Sequence, residues 1–328
     1  MDTYDDRHRA FLQAFMARST MTFEESQPVL AAIISAHEGR DIAPEDVTQS
    51  TLNDFVDTVN GAISTFDLEI RTSRRQDPKD SANDSTTPPV LIYALVNTTS
   101  DALTQLATIY SADEIAFVKR VLDYMFEENN TRRSEGMVIS SMQAMRLSKA
   151  GGDRRRYTNV ATQQIEGGNA QNLTMQQAQE VMKSLTQEGW LEQSRKGNYS
   201  LSPRALMELR TWLVSEYNYE DMNGQMQNRI KFCAACKDII TVGQRCDDRN
   251  CPGRLHDHCV RNFFRMQQAE TCPVCQKGWS GNNYVGERAV VEAARPRHSR
   301  LSQAQTVVAS PTPTSEARDP KLSDEEEG

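Results

Sequence analysis

The N-terminal part of the chain shows apolar residues at helical spacing, with helix start and stop signals around them. Thr22 and Glu25 form a capping-box pattern ahead of an apolar run that ends at Gly39, which predicts a helix. Another helix is predicted at about residues 5–18, and a third follows Pro44, which suits a first helical turn. The apolar positions of the third helix are Val47, Leu52, Phe55, Val56, Val59 and Ile63.

The hydrophobic period then changes from helical spacing to alternation, which is typical of strands. Apolar and polar residues alternate from Phe66 to Ile70, and residues 90–96 form an apolar run. The polar stretch 74–89 between them predicts a disordered wing loop. Three helices followed by such a hairpin predict a winged-helix domain over residues 1–99.

The same order of elements recurs over residues 100–220, which predicts a second winged-helix domain. Capping boxes at 111–114 and 174–177 each open a helix, and Gly189 suits the left-handed position after the second one. The other elements expected here are a short strand at 137–139, a helix near 140–147, strands at 190–193 and 198–201 across the turn Lys196-Gly197, and a closing helix after Ser202-Pro203.

Charge is distributed unevenly along a chain whose net charge is −8. Residues 1–70 hold thirteen acidic against four basic residues, whereas residues 231–281 hold eight basic against five acidic ones. No apolar run is long enough to span a bilayer, so we predict a soluble, intracellular protein without membrane contact. Apolar periodicity ends near residue 285, and residues 285–328 are predicted to be a disordered acidic tail.

All seven cysteines fall between Cys233 and Cys275, and one histidine completes a set of eight metal ligands. Paired thiolates two residues apart hold a zinc ion in a tight knuckle, and spacers let the pairs close tetrahedral shells. An odd cysteine count without a signal peptide argues against a disulfide framework. The sequence therefore predicts two structural zinc ions, with no open coordination position for catalysis. The predicted ligands are Cys233, Cys236, Cys246, Cys251, His256, Cys259, Cys272 and Cys275.

The spacing leaves two ways to divide these ligands open. In a cross-brace, the first and third pairs hold one ion and the second and fourth pairs hold the other. In a sequential arrangement, the first two pairs share an ion. A helix expected from Asp257 to Gln268 lies between the third and fourth pairs, as it does in cross-brace folds. His256 is preferred to His258 as the ligand, because a histidine directly beside Cys259 wraps one ion less well.

The order of four cysteines, one histidine and three cysteines resembles RING-variant and PHD fingers, and the Cys-Pro-Val-Cys ending at Cys272 to Cys275 is similar to RING domains. Glu270 stands where PHD fingers usually carry an aromatic residue, which favours RING. Paired winged helices before a RING-like module at 229–281 are similar to the non-SMC element 1 family, the RING-type ubiquitin ligase subunit of the Smc five/six complex. The predicted fold class is therefore α+β and multidomain, with two tandem winged-helix domains before a small two-zinc cross-brace domain.

This resemblance implies a nuclear, chromosome-associated role in DNA repair and recombination, with the winged helices docking a MAGE-type subunit and the kleisin subunit. RING ligases of this kind hold a ubiquitin-charged conjugating enzyme and form no covalent intermediate, so no catalytic residue is expected. Carried over by position, the conjugating-enzyme surface comprises Ala234, Ala235, Pro273 and Val274. Strong RING ligases place a bulky apolar residue at the position of Ala235 and a basic one at Gln276, so weak ligase activity without the partner is implied.

Two alternatives to the ligase interpretation are open. In one, the zinc module is a non-catalytic scaffold that braces the winged helices within the complex. In the other, basic clusters make weak or partner-assisted DNA contact through the phosphates. These clusters are Arg154 to Arg156, Arg132 with Arg133, and Arg195 with Lys196.

Overall fold

The computed structural model describes four stretches of the chain, namely residues 4–77, 89–98, 109–149 and 172–294. The described residues up to Ala293 belong to one compact unit. Within these stretches, no helix is long and apolar enough to cross a membrane. The domain boundaries at 1–99, 100–220 and 229–281 stay predictions, because this unit contains all three.

The first winged helix packs three helices against a three-stranded antiparallel sheet with the order β1-β3-β2. The elements are α1 (Asp6–Arg18), β1 (Thr20–Thr22), α2 (Phe23–Glu38), α3 (Gln49–Ile63), β2 (Leu68–Arg74) and β3 (Leu91–Asn97). Phe11, Phe15, Leu30, Leu52 and Val59 are fully buried between them. The predicted three helices and hairpin are confirmed, and β1 is an additional strand, too short for alternation to reveal it.

Local hydrogen bonds set the start of α2 as the sequence predicts. The hydroxyl of Thr22 accepts from the Glu25 N–H at 3.2 Å, and the Glu25 carboxylate accepts from the Thr22 N–H at 2.8 Å. Gly39 ends the helix in the left-handed conformation, with φ 67°. The capping box and the glycine stop are therefore both formed.

The structure differs from the prediction at the start of α3 and at the start of β2. Helix α3 begins at Gln49 because the Thr48 hydroxyl caps it, accepting from the Thr51 N–H at 3.2 Å, whereas Pro44 lies in a separate 3₁₀ turn. Phe66 does not belong to the strand. It lies in the 3₁₀ turn before β2 and is 72% exposed.

The predicted wing loop at 74–89 is partly ordered. Arg75 continues the hairpin by donating its N–H to the Val90 carbonyl at 2.9 Å, and Gln76 contacts the zinc module. Residues 78–88 lie outside the described residues. The prediction of disorder is therefore wrong at the base of the wing.

The second winged helix has a sheet with the order β4-β6-β5. Its elements are α4 (Ala112–Asp123), a π-helical turn (Tyr124–Glu128), β4 (Ile139–Ser140), α5 (Ser141–Arg146), α6 (Met175–Gln187), β5 (Leu191–Gln193), β6 (Asn198–Leu201), α7 (Pro203–Glu208) and α8 (Arg210–Tyr217). Both predicted capping boxes form, and Gly189 is left-handed with φ 76°. The short strand is shifted from 137–139, and the closing helix is divided at Leu209.

The two winged helices pack on each other through α7, which contacts β2 and β3. Alternation along β3 directs Tyr93 into the first core and its neighbours to the opposite face. In a sheet with only one buried face, Ala94 and Val96 on the opposite face would be exposed to solvent. Both are buried instead. The first sheet is therefore covered on both faces.

The zinc module follows a hairpin that the sequence did not predict. The strands of this hairpin are β7 (Asn218–Glu220) and β8 (Met226–Asn228). The elements that follow it are β9 (Gly243–Arg245), β10 (Arg254–Leu255), α9 (Asp257–Gln267), β11 (Tyr284–Val285) and α10 (Glu287–Ala294). The three-stranded sheet of the zinc module has the order β10-β9-β11. The prediction of a disordered tail from residue 285 is wrong up to Ala294, because Val285 and Ala289 are buried. Residues 295–328 lie outside the described residues.

Asn60 of α3 occupies part of the outer edge of β2. Its carboxamide nitrogen donates to the Ile70 carbonyl at 3.1 Å, and its oxygen accepts from the Ile70 N–H at 2.7 Å. These two bonds replace those of a neighbouring strand, and an edge strand left open is a template for aggregation. Asn60 thus ties the helical layer to the sheet and covers its edge.

We expect Asn60→Ala to lower the free energy of unfolding by about 1–3 kcal/mol, because both polar groups of Ile70 lose their partner. Denaturant titration of the full chain measures this change. Asn53→Ala is the matched control, since Asn53 is exposed on the same helix and bonds only Gln49 among the hydrogen bonds seen here. Equal stability of the two variants would contradict the role assigned to Asn60.

Candidate metal centre

The structure brings the eight predicted ligands into two groups, and within each group the ligand atoms lie within 4.8 Å of one another. One group joins the first and third ligand pairs, and the other joins the second and fourth. The arrangement is therefore a cross-brace, and the sequential alternative is wrong. The groups are Cys233, Cys236, His256 and Cys259, and Cys246, Cys251, Cys272 and Cys275.

The distances between ligand atoms suit zinc and not disulfides. The Sγ atoms of Cys246 and Cys275 are 3.5 Å apart, and so are those of Cys251 and Cys272. A disulfide needs about 2.05 Å, whereas two thiolates on one tetrahedral zinc lie roughly 3.8 Å apart. Thiolates with one imidazole are also the donor set that zinc prefers. The RING-like region therefore has two zinc sites, each closed by four protein ligands.

The two Cys-x-x-Cys pairs fold into the same kind of knuckle. The carbonyl of Cys233 accepts from the Lys237 N–H, and that of Cys272 accepts from the Gln276 N–H, both at 3.0 Å. Lys237 and Gln276 each adopt the left-handed conformation, with φ 66° and 59°. A residue after each pair thus turns the chain back over the ligands.

Backbone amides of the intervening loop point at the sulfur atoms. Asp248 donates its N–H to the Cys246 Sγ and Gly253 donates to the Cys251 Sγ, both at 3.4 Å. A Cβ at Gly253 would lie 2.5 Å from the Sγ of Cys272, which no side chain tolerates. The ligand spacing alone does not mark this glycine, although its place two residues after a ligand is a usable signal.

His256 presents Nδ1 to its cluster, 3.3 Å from the Cys236 Sγ. Its Nε2–H donates to the Ile239 carbonyl at 3.2 Å, and the imidazole is buried. Such a bond fixes the tautomer that leaves Nδ1 free for the metal. His258 stacks on the His256 ring at 4.9 Å between centroids and belongs to neither cluster, so the cluster geometry agrees with His256 as the ligand.

The residues expected to contact a conjugating enzyme lie on the two knuckles. Ala235 and Val274 are exposed, Val274 at 53%, whereas Ala234 and Pro273 are half-buried. The exposed pair can meet another protein, but their role as a contact surface stays a prediction.

Lys277, the basic residue nearest to the last knuckle, is held in an ion pair. Its ammonium donates to Asp248 at 2.7 Å, and this hydrogen bond lowers the pKa of the Asp248 carboxyl. Gln276, by contrast, is exposed and neutral. The last knuckle therefore offers an amide where strong RING ligases offer a cation.

Comparison with protein families identifies both parts of the chain. The family model described as "Nse1 non-SMC component of SMC5-6 complex" matches residues 8–209, and a model described as "RING-like domain" matches residues 233–275. The chain belongs to the Nse1 family. The resemblance drawn from the zinc spacing and the order of elements is thereby confirmed.

Curated members of the Nse1 family match most of the chain. The human "Non-structural maintenance of chromosomes element 1 homolog" is 22% identical over 279 residues, covering 85% of this chain and 86% of the relative. "Non-structural maintenance of chromosomes element 1" of Schizosaccharomyces pombe is also 22% identical, covering 87% and 97%. A solved structure named "Nse1-Nse3-Nse4 complex" matches with a TM-score of 0.61 and 21% identity, covering 85% of this chain and 99% of the matched chain, which shows the fold.

We expect His256→Ala to lower bound zinc from two ions to one per chain, because one cluster keeps only three ligands. A structural zinc site contributes about 10–16 kcal/mol of apparent folding energy, so the variant should also unfold locally. Elemental analysis of the purified chain measures the zinc content. His258→Ala is the control and should keep two ions; loss of zinc from both variants alike would contradict the ligand assignment.

Proposed function

We propose that this chain is the RING-type ubiquitin ligase subunit of the Smc five/six complex, acting on chromosomes in the nucleus in DNA repair and recombination. The observation that carries the proposal is the pair of closed zinc clusters whose knuckles present exposed side chains, in a chain of the Nse1 family. Membership of the family supports the complex, and the RING-like module supports ubiquitin transfer.

The proposed chemistry is binding and orientation, without a nucleophile on this chain. The zinc ions, when bound, hold the two knuckles rigid. Val274 and Ala235 would pack against a conjugating enzyme, and the side chain at Gln276 would face the linkage between that enzyme and ubiquitin. Each methyl group adds little contact, at roughly 25 cal/mol per Å² of apolar area. A weak basal activity follows from these side chains.

A second candidate function is a non-catalytic scaffold, and one contact between modules favours it. Gln76, at the base of the first wing, accepts from the N–H groups of Thr241 and Val242 at 2.9 and 3.1 Å and donates to the Ile239 carbonyl at 2.8 Å. The zinc module is thus bonded to the first winged helix as well as to the second. A domain fixed in this way can brace the complex whether or not it transfers ubiquitin.

We expect the double substitution Ala235→Ile and Gln276→Arg to raise ubiquitin transfer about tenfold, since the added apolar area and charge contribute roughly 1–2 kcal/mol. Val274→Arg should abolish transfer while the zinc content stays unchanged. The measurement is ubiquitin chain formation with a panel of conjugating enzymes and the MAGE-type subunit present. If no enzyme in the panel supports transfer by either the natural chain or the double variant, the ligase proposal fails and the scaffold is favoured.

An apolar groove on the second winged helix supports docking of the MAGE-type subunit. Met142 of α5 and Met175 of α6 are 68% and 64% exposed at its rim, and Met145, Met182 and Tyr199 also line it. Methionines adapt to irregular partner surfaces. The matched structure is named for Nse1, Nse3 and Nse4, and we propose that the corresponding MAGE-type and kleisin subunits bind this chain.

We expect Met142→Asp to weaken binding of the MAGE-type subunit about tenfold or more, because a carboxylate would be buried in an apolar contact. Met16→Asp is the matched control, since Met16 lies on α1 with the same exposure of 68%. Titration calorimetry of the purified partners measures both affinities. Unchanged binding by Met142→Asp would exclude the groove, and failure of the natural chain to bind would exclude the partner.

Partner-assisted DNA contact stays a prediction. Arg195 and Lys196 are exposed at the tip of the second wing, and Arg132 and Arg133 are exposed in the loop before β4. The third basic cluster, residues 154–156, lies outside the described residues.

A further inference from the structure

A loop of the second winged helix is inserted against the zinc module. Glu135, which precedes β4, accepts from the Gly286 N–H through its carbonyl at 2.7 Å and pairs with Val285 in a parallel bridge. Its side chain is buried, with 2% of the residue exposed. The loop therefore places a carboxyl group inside the junction between the two modules.

Three cationic side chains of the zinc module surround this carboxylate. Arg254 donates from Nε and Nη2 to the two carboxylate oxygens at 2.7 and 2.6 Å, Lys231 donates to Oε1, and Arg245 lies 3.5 Å away. Burial alone would raise the pKa of Glu135, but the bonds from Arg254 and Lys231 lower it to about 2. We call these four residues the Glu135 cluster. Its carboxylate is charged at neutral pH and holds three like charges together.

Arg254 connects the Glu135 cluster to both zinc sites. Its Nη1 donates to the carbonyls of Cys251 and Gly253 at 2.8 and 2.7 Å, and its own carbonyl accepts from the Ala234 N–H at 2.9 Å. Cys251 is a ligand of one site, and Ala234 lies in the knuckle of the other. His256, two residues after Arg254, is a ligand of that other site. One guanidinium thus fixes the segment that carries ligands of both clusters.

We propose that Glu135 is a zinc-positioning residue that the second winged helix contributes to the RING-like domain. Without its charge, the cations of the cluster repel one another in a buried site, and Arg254 loses the bidentate partner that fixes its guanidinium. The chain between Cys251 and His256 then shifts, and the ligands of both sites move from their places. This role is independent of ubiquitin transfer, because it concerns the retention of zinc.

The test is the rate at which full-length chain releases zinc to a chromogenic chelator, measured together with its thermal unfolding. Glu135→Gln should release zinc about ten- to a hundredfold faster, because loss of a residue that orients metal ligands usually lowers metal affinity by about that factor. Glu135→Asp keeps the charge and should restore most of the natural rate. Rescue by charge is the result that a merely space-filling role would not give.

The matched control is Glu208→Gln. The Glu208 side chain is also buried and pairs with Arg204 at 3.3 Å, but it lies on α7 and touches no zinc ligand among the contacts seen here. It should lower the unfolding temperature and leave zinc release unchanged. The proposal is overturned if Glu135→Gln releases zinc at the rate of the natural chain, or if Glu135→Gln and Glu208→Gln both release it faster by the same factor. If Glu135→Gln does not fold, Glu135→Asp decides, because a side chain that keeps the charge should restore both folding and a near-natural rate of zinc release, and failure to restore them overturns the proposal.

Discussion

Four-ligand coordination is the constraint on which the C-terminal part of the molecule depends. The apolar core of the zinc module is small, with Leu255, Phe264 and Trp279 buried beside the ligands themselves. So little apolar surface does not offset the entropy of ordering the chain, and metal coordination provides the missing free energy. The cross-brace also joins distant segments, because one cluster takes ligands from both sides of β9 and the other takes ligands from both sides of α9. Each cluster therefore fixes the fold as well as a metal.

Coordination alone does not explain why the module sits where it does. Polar groups of both winged helices hold it in place, among them Gln76 of the first and Glu135 of the second. Gln76 donates to the Ile239 carbonyl, which also accepts from the zinc ligand His256, and Glu135 holds Arg254 beside the carbonyl of Cys251. Each winged helix thus contributes a side chain whose hydrogen-bond partner is itself hydrogen-bonded to a metal ligand. The RING-like domain is an integrated part of the protein rather than a module on a flexible linker.

The sequence predicted what short-range chemistry determines and missed what distant residues determine together. The capping boxes, Gly39, Gly189 and the eight ligands are local signals, so the helices and hairpins of the two winged-helix domains and the zinc sites could be placed from the sequence. Glu135 and Gln76 look like ordinary loop residues, because their partners lie about a hundred or more positions away and nothing in the local pattern marks them. Helix α10 was missed for a related reason: the short amphipathic pattern from Glu287 becomes convincing only once Val285 and Ala289 have a surface to pack on.

Rigid attachment has a consequence for the proposed function. A conjugating enzyme bound at Ala235 and Val274 would be held in one orientation relative to both winged helices, because the bonds of Gln76 and Glu135 remove the freedom of a hinge. If the substrate lysine is held on the same assembly, less entropy is lost in bringing it to the enzyme-bound ubiquitin. Only then can a weak apolar contact with the conjugating enzyme be enough for transfer. The small side chain of Ala235 and the neutral Gln276 fit that situation, since a ligase whose substrate is fixed nearby needs less affinity of its own. The choice of substrate would follow from the geometry of the complex and not from a recognition sequence.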